Sequence, residues 1–253
     1  MKVFAKNEKA PGRIAVGVVV LVALLSTAGT AQSQDLKKRY PQMAPIDRYL
    51  MDRDAEISLA RSAAPEAVSK DATVLVLGRH GYETAFKGTN GFVCMVERAW
   101  SMAIDFPEIW NPKILGPDCL NPPAARSILP IEEKKVELTL AGNSQDKIIA
   151  AMRAAFQTGE LPGLEPGAMG YMMSKRAYLT DAGGHNGPHL MVFTNLADNK
   201  LWGANLPNSP VVAAFYWFPT DDANPLGKGL PMMRVFAVRV AKWSDGTAVV
   251  PMH

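Results

Sequence analysis

The sequence lacks most of the short motifs that identify a reaction. It has no Gly-x-Ser-x-Gly nucleophile elbow, no glycine-rich phosphate loop ending in Lys, no dinucleotide fingerprint and no Cys-x-x-Cys. These absences count against serine hydrolases of the common fold, nucleotide enzymes and thioredoxin-like redox chemistry, and they exclude Cys-x-x-Cys-His haem attachment. Histidine is scarce at four residues and cysteine at two. No long hydrophobic run and no internal repeat follows residue 31.

A surplus of charge is missing too, once the chain is divided. The whole sequence carries +3, with 27 basic and 24 acidic residues. Lys2, Lys6, Lys9 and Arg13 lie before residue 32, with Glu8 as the one acid there, so the remainder is neutral. A neutral domain gives no electrostatic case for nucleic acid or an anionic membrane. Those same four residues form the positive start of a signal peptide. Ile14 to Leu25 is uncharged and apolar, within the roughly 7–15 residues of such a core and short of the ~20 that span a bilayer. Cleavage is expected after Ala31, giving a signal peptide over 1–31, a solvated tether over 32–44 and one domain over 45–253. The expected location is periplasmic or secreted.

In an oxidising compartment Cys94 and Cys119, 25 positions apart, are expected to form a disulfide. A reactive thiol is the rival reading, but Phe92 to Val96 is apolar and would bury Cys94 in an inert setting.

Ile46 to Ala63 has helical periodicity, and Pro65 stops it. Thr73–Leu77, Tyr82–Lys87 and Phe92–Glu97 read as strands. Asn90-Gly91 is a hairpin signal because the favoured turn needs positive φ. A three-stranded antiparallel meander follows from that reading. Pro107 to Pro123 reads as a loop. Asn121-Pro122 opens a helix running toward Leu140 with a break near Pro130, and Ser144 opens another that Gly159 ends. Leu190–Thr194, Val211–Phe218 and Arg234–Val240 are β-rich, while Met169–Leu179 is ambiguous. The fold class expected is α+β: an antiparallel sheet, made of the N-terminal meander plus C-terminal strands, with helices packed on one face.

Candidate sites come from two patterns. Asp181, His185 and His189 lie in a Gly-rich loop, and His80 sits in the turn Gly78–Gly81. Converging, they would offer a zinc-type site for a metal-dependent hydrolase, with Asp181 or Glu83 as base. The blander reading makes His80 an exposed turn residue and lets His189 bond a backbone carbonyl. Ser144-Gln-Asp-Lys147 matches the Ser-x-x-Lys of penicillin-recognising enzymes, but their later elements are absent and a helix cap explains it. The second pattern is a late cluster of aromatic residues and methionine, with Tyr171, Trp202 and Trp217 as candidate ligand-binding side chains. Core packing is the plainer role for such residues.

The strings Gly88–Cys94 (GTNGFVC), Tyr171–Lys175 (YMMSK), Pro188–Phe193 (PHLMVF), Trp202–Pro207 (WGANLP) and Lys242–Thr247 (KWSDGT) resemble a family of uncharacterised exported bacterial proteins, over roughly Met51 to Thr247. The resemblance implies export and one domain, and it assigns no activity, ligand or catalytic residue. The leading expectation is a non-catalytic protein of the bacterial envelope that binds a small ligand and needs no cofactor. The alternatives are the metal hydrolase and an envelope structural or interaction protein.

Overall fold

The computed structural model describes residues 35–103, 106–184, 187–195, 199–218 and 227–250, leaving aside the side chains of 199 and 212–218. The expected leader, His185 and the Trp217 side chain lie outside that description. No helix among the described residues is long and apolar enough to cross a membrane.

The chain enters through a 3-10 turn at Ile46–Arg48 and a helix, α1, at Arg53–Arg61. The single helix expected over Ile46–Ala63 is therefore in two pieces. Asp52 starts the second piece as its N-cap, accepting from the Ala55 amide at 3.0 Å. Between the pieces Tyr49 is buried, its hydroxyl donating to the Trp110 carbonyl at 2.8 Å. A one-turn helix, α2 (Glu66–Ser69), leads to strands β1 (Thr73–Gly78), β2 (Gly81–Phe86) and β3 (Val93–Glu97). Next come β4 (Gly116–Leu120), then α3 (Pro122–Ser127), α4 (Leu129–Leu140) and α5 (Gln145–Thr158). Strands β5 (Met169–Met172), β6 (His189–Thr194), β7 (Val211–Phe218) and β8 (Met233–Arg239) complete the set.

The helix boundaries follow their capping residues. Asn121 accepts from the Ala124 amide at 3.0 Å, and Pro122 takes the first helical position, where a missing N–H costs nothing. The expected break near Pro130 falls at Ile128, between α3 and α4. Ser144 occupies the N-cap position of α5 without a side-chain cap bond, and Gly159 closes that helix at φ 75°.

All eight strands form one sheet in the order β2-β1-β3-β4-β5-β6-β8-β7. The α+β class holds, but the meander does not. β1 lies in the middle, pairing antiparallel with β2 and parallel with β3, while the other pairings are antiparallel. The Asn90-Gly91 turn therefore carries the chain across the start of β1 instead of folding β3 back onto β2. The crossing is fixed by Thr89 N to Asp71 O at 2.8 Å and Gly88 N to Thr73 Oγ1 at 3.0 Å. A turn signal specifies a reversal; it does not specify which strand receives the returning chain.

Helices lie on both faces, not on one. Alternation along the strands divides the core: Val74, Cys94, Val96 and Cys119 pack with Leu59, Ala60 and Ala63 of and after α1. Leu75, Met95 and Leu120 pack with Ile128, Ile131, Ile148 and Met152 from α3 to α5. β4 replaces part of the expected loop between Pro107 and Pro123. Pro117 is tolerated in this central strand because β4 pairs with β5 through Cys119 and Leu120 alone. Cys94 and Cys119 are direct cross-strand partners and form a disulfide.

Candidate functional site

The second half of the sheet has two unequal faces. In β5 and β6 burial alternates strictly: Gly170, Met172, His189, Met191 and Phe193 are buried toward α4 and α5. Met169, Tyr171, Leu190 and Val192 face the other way and remain partly exposed. The register aligns Tyr171, Leu190 and Val238 in one row, and Met169, Val192 and Phe236 in the next. α1 lies on this face but contacts β1, β3 and β4.

Two aromatic side chains flank these rows. Trp202 stacks on Phe236, with centroids 4.7 Å apart and planes 14° from parallel. Tyr171 is backed by Phe92, at 6.3 Å between centroids and 54° between planes. β6 lies between β5, which carries Tyr171, and β8, whose Phe236 carries Trp202 stacked on it, so Leu190 and Val192 form a floor roughly 10 Å wide, two strand spacings. Neither row holds a carboxylate, an imidazole or a cation. Such a surface can stack rings and exclude water from apolar groups. Of the three side chains the sequence singled out for ligand binding, Tyr171 and Trp202 therefore share one face. The floor residues and Phe236 were missed. His189 to Phe193 is an almost unbroken apolar run, and periodicity cannot say which face of such a strand stays open.

The described candidate metal residues, His80, His189 and Asp181, do not form one site. His80 is exposed at the β1–β2 turn, beside a cleft of about 390 Å³ lined by Tyr82, Pro130, Glu133, Lys134 and Glu137 among others. His189 starts β6, buried, with Nδ1 2.8 Å from the Gly187 carbonyl oxygen. Four strands lie between β2 and β6, which places the two rings on the order of 20 Å apart. Metal–nitrogen bonds need about 2 Å. Glu83 is exposed on the edge strand. Among the described residues no group of three or more His, Cys, Asp or Glu could hold a metal. His80 and His189 therefore cannot share one metal ion.

Asp181 has a different task. Its Oδ1 accepts from Tyr178 Oη at 2.7 Å and Asn111 Nδ2 at 3.1 Å, and its Oδ2 from Tyr40 Oη at 2.8 Å and Arg39 at 3.0 Å. Lys113 Nζ lies 3.2 Å from both oxygens. Burial works to raise the Asp181 pKa, and the donors, Tyr178 first, overcome it and hold the carboxylate well below its ordinary value. Buried Glu108 accepts from the Asp181 amide at 3.0 Å and from Asn111 Nδ2 at 2.6 Å. With its lone pairs so occupied, Asp181 is neither a metal ligand nor a base; it is an anchor. What it anchors is the segment read as a solvated tether. From residue 35 that segment is docked, with Leu36 buried and Arg39 and Tyr40 held by Asp181.

The chain matches no family model, no curated protein and no solved structure.

Proposed function

We propose that this chain is an exported, non-catalytic protein that binds a small, ring-bearing apolar ligand on the β5–β6–β8 face. One observation carries the reading: Tyr171 and Trp202, each backed by a second aromatic ring, stand on the same face across the half-buried floor of Leu190 and Val192. Rings already packed against other rings lose little conformational freedom when a ligand stacks on them. Export rests on the basic and apolar start of the sequence together with the Cys94–Cys119 bond. The resemblance to exported bacterial proteins agrees with it and points to the periplasm or the medium.

The test is a thermal-shift screen of the full chain against aromatic and alicyclic compounds, followed by titration of Trp fluorescence. A hit should bind with ~1:1 stoichiometry, and Trp202→Ala should weaken it at least tenfold, about 1.4 kcal/mol. Ligands that bind equally well to a Leu190→Glu variant, or a screen without any hit, would end the proposal.

A second reading has its own observation. Leu201 and Leu206 are 71% and 61% exposed on the segment around Trp202, and exposed aliphatics of this size suit a protein partner better than a small molecule. The same face would then belong to an envelope interaction protein. Leu201→Ser with Leu206→Ser separates the two: it abolishes capture of a protein partner and leaves small-ligand binding intact.

A further inference from the structure

Beneath α4, on the sheet face opposite the proposed ligand surface, three carboxyl groups are sealed from water. Asp118 of β4 is 0% exposed, Glu132 of α4 is 0% and Glu97, at the end of β3, is 5%. Both Asp118 oxygens are buried without a hydrogen-bond partner, although the Cys119 amide leans toward them, and at buried Glu132 the Ser101 hydroxyl leans toward the carboxylate. Among the described residues one cation reaches the group. Lys135 Nζ lies 3.2 Å from Glu132 Oε1 and donates as well to the Ser101 carbonyl at 3.0 Å. The other charges nearby are committed elsewhere. Arg98 is spent on Glu56 of α1 at 2.9 Å and on the Tyr49 and Val96 carbonyls. Tyr82 of β2 donates to the Val96 carbonyl at 2.9 Å. From β5 the neighbour is Gly170, where an added Cβ would meet Asp118 Oδ1 at 2.4 Å, so no side chain from that strand can supply a donor. Arg126 of α3 is paired outward with Glu165 at 2.7 Å.

Three ionised carboxylates against one ammonium would place two uncompensated negative charges in a dry interior, which a small domain cannot sustain. We propose that the interface between α4 and strands β3–β4 is a proton-held latch, docked while Asp118 and Glu97 keep their protons beside the Glu132–Lys135 pair and loosened as alkali removes them to solvent. The device is independent of the ligand surface, which lies on the other face.

The electrostatics agree. Burial first, then the Glu132 charge, pushes Asp118 up to about 8. Burial also raises Glu97 and Glu132. The folded state therefore keeps a proton that the unfolded chain gives up near pH 4. Stability is full below that value and is lost progressively as pH rises to about 8, where the folded form also ionises.

Three measurements on the full, disulfide-bonded chain test the latch. Amide exchange on α4, corrected for its intrinsic pH dependence, should lose protection between pH 5 and 8 by about tenfold per pH unit for each proton that leaves on opening. The thermal midpoint should fall by roughly 3 °C per pH unit in the same range. Asp118→Asn, neutral at every pH, should flatten both slopes, whereas a merely structural residue would shift stability by the same amount throughout. If that variant does not fold, the carboxyl carbon shift of Asp118 in the unsubstituted chain decides: titration near 8 supports the latch, and titration near 4 overturns it. Unchanged slopes in a folded Asp118→Asn variant overturn it as well.

Discussion

At the scale of single residues, one tight constraint is a missing side chain hemmed in by backbone. A Cβ on Gly88 would stand 2.2 Å from the Thr73 nitrogen, 2.3 Å from the Ala72 carbonyl carbon and 2.4 Å from the Asp71 oxygen. These are backbone atoms at the entrance to β1, and they cannot rotate away. Gly88→Ala should therefore cost about 3 kcal/mol in urea unfolding, the upper end for overpacking. An unchanged midpoint would mean that the crossing loop lies farther from β1. The glycine itself is plain in the sequence, but its reason is not. Residues 71–73 become its neighbours only because β3 lands beside β1 and the chain must cross between them.

At the scale of elements, residues that act through their own neighbours are legible and those that act through partners are not. Asn121-Pro122, the break near Pro130 and Gly159 each mark a helix end, because caps act on amides within three or four positions. β4 is illegible. Gly116-Pro-Asp-Cys-Leu120 has the composition of a turn and becomes a central strand by pairing with β3 and β5 and by the covalent bond to Cys94. The disulfide closes a loop with a sequence separation of 25 that contains everything between β3 and β4. In the chain-entropy model, reduction should lower stability by about 3.5 kcal/mol. Urea titration with and without a reductant measures it. A midpoint indifferent to reduction would show that ladder pairing alone holds β4 in place.

At the scale of the whole molecule, Asp181 joins two distant stretches, 39–40 and 111–113, to its near neighbour Tyr178. Asp181→Ala should release the segment around Arg39, and trypsin should then cut at Lys37, Lys38 and Arg39 several times faster than in the unsubstituted chain. Equal cleavage rates would show that Leu36 alone suffices to dock it. Because the folded state depresses the Asp181 pKa, its contribution is present above the ordinary carboxylate value. It is lost as pH falls below about 4 and protonation begins. The same cleavage assay should therefore quicken in acid once the protease's own pH dependence is removed. Arg39 and Lys113 are 50% and 58% exposed, so salt should weaken this anchor further.

The sequence by itself determined what is local or compositional: the neutrality after residue 31, the scarcity of catalytic motifs, most helix ends, and the strands β1, β2, β3, β6, β7 and β8. Only the tertiary structure decided the sheet order, the placing of helices on both faces, the separation of His80 from His189, and the burial of Asp118, Glu97 and Glu132 in one cluster. The physical reason is range. Caps, turns and periodicity act over a few bonds along the chain, whereas strand partners and buried charges are chosen by groups distant in sequence. Their chemistry exists only once the sheet has assembled.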